Sequence, residues 1–136
     1  MRVVIRKSPM RDKKFRATVY DHGKVDVVDF GGVRPNGVPY SDYTLHGDAF
    51  RMRRYVVRHG GKVPVRLLSS TSRDEVQKKM LRVASSDTES WGIRGIRSAG
   101  FWSRWLLWSF PDIRDAARFI QKRFSVEVAL FVSEFK

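Results

Sequence analysis

Two short runs that alternate apolar and polar residues, Phe15 to Tyr20 and Lys24 to Phe30, flank the tripeptide Asp21-His22-Gly23. Alternation at a period of two marks a strand, and a glycine-containing turn between two such runs makes them a β-hairpin. Phe15, Ala17 and Val19 share one face of the first run, and Val25, Val27 and Asp29 share one side of the second. Val3, Val4 and Ile5 open a further short strand before the hairpin, and Gly31-Gly32 ends it. Residues 31–40, rich in Gly and Pro, read as a loop.

From Asp48 the apolar period lengthens to three and four. Asp48 is placed to cap a helix over Ala49 to His59, which Gly60-Gly61 terminates. Ser72-Arg73-Asp74-Glu75 has the spacing of a capping box, and Val76, Met80 and Val83 follow at helical intervals. Residues 85–95 read as irregular. A third helix is expected over Phe101 to Trp108. A fourth starts near Pro111-Asp112, with Pro in its first turn and a stripe of Ile113, Ala116, Ala117, Ile120 and Phe124. Val126, Val128, Leu130 and Val132 alternate again and predict a final strand over Ser125 to Phe135. The expected fold is α+β: a small, mostly antiparallel sheet of N-terminal strands plus the C-terminal strand, packed with about four helices. No repeat, low-complexity tract or linker divides the chain, so residues 1–136 are expected to form one basic globular domain.

Charge narrows the function. Lys and Arg number 27 against 14 Asp and Glu, a formal net charge of +13. A compact body with that excess repels itself and suits a polyanionic partner, nucleic acid first and an anionic membrane surface second, with a solvated basic surface as the plain alternative. Cysteine is absent, which excludes disulfides and thiolate metal sites and fits a reducing compartment. The first ten residues lack the apolar run of a signal peptide, and the most apolar stretch, residues 99–110, is too short for a bilayer and interrupted by Arg104.

The positive charge is clustered. Residues 1–16 hold Arg2, Arg6, Lys7, Arg11, Lys13, Lys14 and Arg16 against Asp12 alone, and residues 49–67 hold six cations and no acid. Arg51, Arg54 and Arg58 are three and four apart, so one helical face carries all three. Like charges so stacked destabilise an isolated helix, and a bound phosphate chain would relieve them. Arginine can also hold phosphate through two parallel hydrogen bonds. Arg51, Arg54, Arg58, Lys13, Lys14 and Arg16 are therefore the expected nucleic-acid contacts. The aromatic cluster Phe101, Trp102, Trp105, Trp108 and Phe110 could stack bases, but a short helix apolar nearly all round reads as core. A catalytic reading would have to use His46, Asp48 and His59, whose spacing matches no metal motif; nor is there a nucleophile elbow or a phosphate-loop signature. No catalytic residue, metal or cofactor is expected.

Three segments carry a resemblance: Tyr40-Ser41-Asp42-Tyr43-Thr44 with His46 and Asp48; Arg54-Tyr55-Val56-Val57-Arg58-His59; and Ala99-Gly100-Phe101-Trp102-Ser103-Arg104-Trp105-Leu106-Leu107-Trp108. With the Phe30-Gly31 strand end, they resemble a family of small basic proteins encoded by large double-stranded DNA viruses, marseilleviruses among them, over roughly residues 14–117. The resemblance implies an abundant virion core protein associated with the genome, and it carries over no enzymatic activity. The expectation is thus a virion structural protein that binds double-stranded DNA with little sequence preference. Other virion proteins and a second copy of itself are possible partners, and a membrane is not. Its expected location is the virion, and the host cytoplasm or nucleus during infection. The rival readings are a nucleic-acid-processing enzyme built on His46, Asp48 and His59, and a capsid-associated scaffold.

Overall fold

The computed structural model describes residues 1–131. Three strands open the chain: β1 (Arg2–Lys7), β2 (Lys13–Asp21) and β3 (Lys24–Gly32). β2 and β3 form the expected hairpin, in register from Phe15 opposite Phe30 to Asp21 opposite Lys24. His22 and Gly23 at its tip have φ of 50° and 80°. Positive φ at both central residues gives a two-residue turn the twist that matches its flanking strands. The fourth strand, β4 (Glu127–Leu130), completes a sheet of order β3-β2-β1-β4. It pairs with β1 in parallel, Val3 opposite Val128 and Ile5 opposite Leu130. A parallel pair needs a long crossover, and the whole helical layer between β3 and β4 supplies it. The fold is α+β, with a mixed, mostly antiparallel sheet.

One face of the sheet is the core face. Val3, Ile5, Ala17, Val19 and Phe30 are fully buried there. The other face carries the side holding Val25 and Val27, which remain 58% and 54% exposed. Alternation predicted that Val25, Val27 and Asp29 share a side, and they lie on the uncovered one.

The helical layer comprises α1 (Tyr43–His46), α2 (Ala49–Arg58), α3 (Val65–Leu68), α4 (Arg73–Met80), α5 (Ala99–Trp102) and α6 (Ile113–Phe124). The four expected helices are present, and α1 and α3 are additional single turns, too short to impose a period on the sequence. Asp48 caps α2 by accepting from the Phe50 and Arg51 amides, and Gly60 leaves its far end at φ 80°. At α4 half of the capping box forms. Ser72 Oγ accepts from the Glu75 amide, while the Ser72 amide donates to Ser70 Oγ and the Glu75 carboxylate turns to Lys79. Pro111 precedes the α6 cap, Asp112, instead of entering the first turn. The aromatic helix starts two residues earlier than expected and, after α5, widens into a π-helical turn over Ser103–Leu107. The final strand starts two residues later than predicted, because Ser125 adopts a left-handed conformation (φ 55°) to end α6. Residues 132–135 of the predicted strand lie outside the described residues.

The tryptophans form the centre of the core. Trp91, Trp102 and Trp105 are buried, and each indole N–H is satisfied: Trp105 donates to the Trp91 carbonyl, Trp102 to the Ile96 carbonyl and Trp91 to Glu89 Oε1. Arg104, also fully buried, donates to the carbonyls of Met80, Val83 and Trp108 and lies 4.3 Å from the centre of the Trp105 ring. Burial pushes its guanidinium down to about 10, so it remains charged at neutral pH. It thus fastens the end of α4 to the end of the π-helical turn.

Candidate nucleic-acid interface

α2 is amphipathic in the way its spacing predicts. Met52, Tyr55 and Val56 are buried, and Arg51, Arg54 and Arg58 are exposed on the opposite side. Among the described residues, no acid forms an ion pair with any of these three arginines. The fourth arginine of the helix, Arg53, does different work. Its guanidinium donates to the carbonyls of Leu67 and Ser70, tying α2 to the α3 segment. Tertiary packing adds a cation that α2 alone does not show: Arg73, exposed at the start of α4, lies 4.4 Å from the centre of the Phe50 ring. Phe50 and Arg54 are one turn apart, so Arg73 extends the basic surface beside the stripe.

The N-terminal cluster divides. Lys14 is nearly buried and bonds the carboxylate of Asp42, itself buried. Arg16 presents its fork to Asp29, with Nε to Oδ1 and Nη2 to Oδ2 both at 3.0 Å. That pair holds the Asp29 carboxyl below the usual carboxylate range, chiefly through the hydrogen bond from Arg16. Neither cation presents an unpaired charge to a phosphate. Lys13, half-buried at the start of β2, has no such partner among the described residues and faces a cleft with Arg11.

The histidines are not brought together as a chemical group. His46 Nδ1 accepts from the Asp48 amide at 2.9 Å, while its buried Nε2 has no hydrogen-bond partner. Its ring lies 5.4 Å from that of Trp108, which stacks flat on Tyr55 at 4.3 Å. Burial holds the His46 imidazole below its ordinary value, with the nearby charge of Arg51 acting in the same direction. His59, on the far side of Tyr55, pairs instead with Glu89 at 2.8 Å. Asp48 is occupied as a helix cap, and the Phe50 amide hydrogen bond lowers its carboxyl. No three metal-ligating side chains converge among the described residues. Likewise, no described helix is long and apolar enough to cross a membrane.

Residues 3–59 match a family described as a family of unknown function, DUF5754. No curated protein and no solved structure matches the chain. The match covers less than half of the sequence, from β1 through α2. It includes the arginine stripe and the Lys14–Asp42 and Arg16–Asp29 pairs, and leaves out the tryptophan core.

Proposed function

We propose that this protein binds duplex DNA through its phosphate backbone, with little sequence preference, and that α2 supplies the central contacts. The observation that carries the reading is the face of α2: Arg51, Arg54 and Arg58 stand exposed, without an ion pair among the described residues, on a helix whose other side is fixed in the core. Such a row offers forked donors to successive phosphates, and contacts of this kind position a protein on DNA without reading bases. The net charge of +13 supplies the long-range attraction. Lys14 and Arg16 serve the fold in this account, and Lys13 and Arg73 remain available at its margins. The proposed setting, the genome-containing core of a virus particle, follows the sequence resemblance.

The test is equilibrium binding of the full chain to several duplexes of unrelated sequence at one fixed salt concentration. Affinities should lie within about threefold of each other, since phosphates are common to all of the duplexes. A strong preference for one sequence would refute backbone binding. Divalent-metal-dependent cleavage of the duplex, abolished by His46→Ala, would establish the enzymatic alternative instead.

A further inference from the structure

A cleft of about 1000 Å³ opens between the β1–β2 connection, the residues around α1 and the start of α6. Its volume lies at the upper end of the range for small-molecule sites. The lining is of two kinds. Met10, Phe15, Val33, Leu45 and Ile113 give it apolar lining, and five cations, Lys7, Arg11, Lys13, Lys14 and Arg114, line it as well. Among the described residues, two acids line it, Asp42 and Asp112, and both are already engaged. Asp42 takes Lys14 on one oxygen and the Thr44 amide on the other, and Asp112 caps α6 by accepting from the Arg114 amide. Among the described residues, Arg11, Lys13 and Arg114 form no ion pair.

Apolar side chains beside three cations that form no ion pair among the described residues define the ligand by chemistry. A bare inorganic anion leaves the apolar side chains unused, and a neutral apolar molecule leaves the cations unused. Guanidinium forks beside an ammonium suit phosphate. A flat ring system suits apolar lining such as Phe15, Val33 and Ile113. We propose that this cleft binds a nucleoside phosphate, its base against the apolar lining and its phosphate against Arg11, Lys13 and Arg114. The ligand is either a free nucleotide or the phosphorylated end of a strand. None of Arg51, Arg54 and Arg58 lines the cleft, so the proposal is independent of duplex binding by α2.

The test is calorimetric titration of the full chain with ATP, adenosine, inorganic phosphate and a 5′-phosphorylated dinucleotide. ATP is expected to bind at least about tenfold more tightly than either adenosine or phosphate, because each of these lacks one half of the recognition. The double variant Lys13→Gln/Arg114→Gln should weaken ATP by about tenfold or more, and the α2 triple variant Arg51→Gln/Arg54→Gln/Arg58→Gln by less than about twofold. A dinucleotide that displaces ATP and binds more tightly identifies a strand end, and the reverse order identifies a free nucleotide. Amide NMR shifts in the unmodified protein should change on adding ATP at Phe15, Val33 and Ile113, a readout that needs no variant to fold. The proposal is overturned if ATP does not bind, if phosphate binds as tightly as ATP, if the α2 triple variant loses as much as the double variant, or if the shifts are confined to α2.

Discussion

At the scale of single residues, two side chains show how burial sets behaviour. His46 is held neutral, with Nδ1 accepting from the Asp48 amide and Nε2 enclosed without a partner. Protonation would turn the acceptor into a donor facing another donor. Because burial lowers the folded-state value below the ordinary one near 6.5, the unfolded chain takes up the proton first as pH falls. The stability contributed by neutral His46 is therefore complete above about pH 7 and declines below about 6.5. Denaturant melts from pH 7.5 to 5 should show that decline in the parent and a shallower one in His46→Asn, whose amide oxygen can still accept from Asp48; equal slopes would show that His46 contributes nothing. Trp105 makes a different prediction. It is fully buried, and its indole donates to the Trp91 carbonyl. Trp105→Ala should cost about 3–5 kcal/mol in a denaturant titration. A variant that melts like the parent but no longer binds DNA would move the tryptophans from the core to the interface. That these rings pack inward was legible in the sequence, because the segment is apolar nearly all round. The partners of its polar atoms were not, since Arg104 meets Met80 and Val83 only through tertiary packing.

At the scale of elements, what was legible followed from local rules. α2 was readable from Asp48, its periodic apolar face and Gly60, and α6 from a five-residue stripe. The hairpin was readable from its alternation and its turn. The one-turn helices α1 and α3 leave no periodic trace, and the parallel pairing of β4 with β1 joins opposite ends of the chain. The candidate site divides in the same way. The face shared by Arg51, Arg54 and Arg58 is a property of helix spacing alone. The engagement of Lys14 by Asp42, 28 residues away, and of His59 by Glu89, 30 residues away, depends on the completed fold. The cap of α2 can be tested separately. Asp48→Ala removes the acceptor for the Phe50 and Arg51 amides and should cost about 1 kcal/mol of stability by thermal or chemical melting. No loss would mean that the helix start is held by packing alone. Arg53 is expected to behave unlike its three neighbours. Arg53→Gln should destabilise the protein, because the Leu67 and Ser70 carbonyls lose a charged donor, by about 1–3 kcal/mol on the same melts. If it is as silent as an exposed arginine, the link between α2 and α3 is dispensable.

At the scale of the whole molecule, a charge of +13 sits on a body whose acids are largely committed to internal pairs and caps, such as Asp29, Asp42, Asp48 and Asp112. Among the described residues, the α2 stripe and the cleft each group three cations that form no ion pair. Binding driven by such charges must release counterions from DNA, and the salt dependence of affinity counts the phosphates neutralised. The most direct measurement is the duplex-DNA affinity of the parent and of the Arg51→Gln/Arg54→Gln/Arg58→Gln variant over a range of salt concentrations. With about six phosphates contacted, the parent's plot of log K against log salt should slope at about −5, and the variant's should be shallower by about 2–3. The variant should also melt within about 5 °C of the parent, since exposed substitutions of this kind shift stability little. A parent affinity indifferent to salt, or a folded triple variant with unchanged affinity and slope, would contradict backbone binding by this helix.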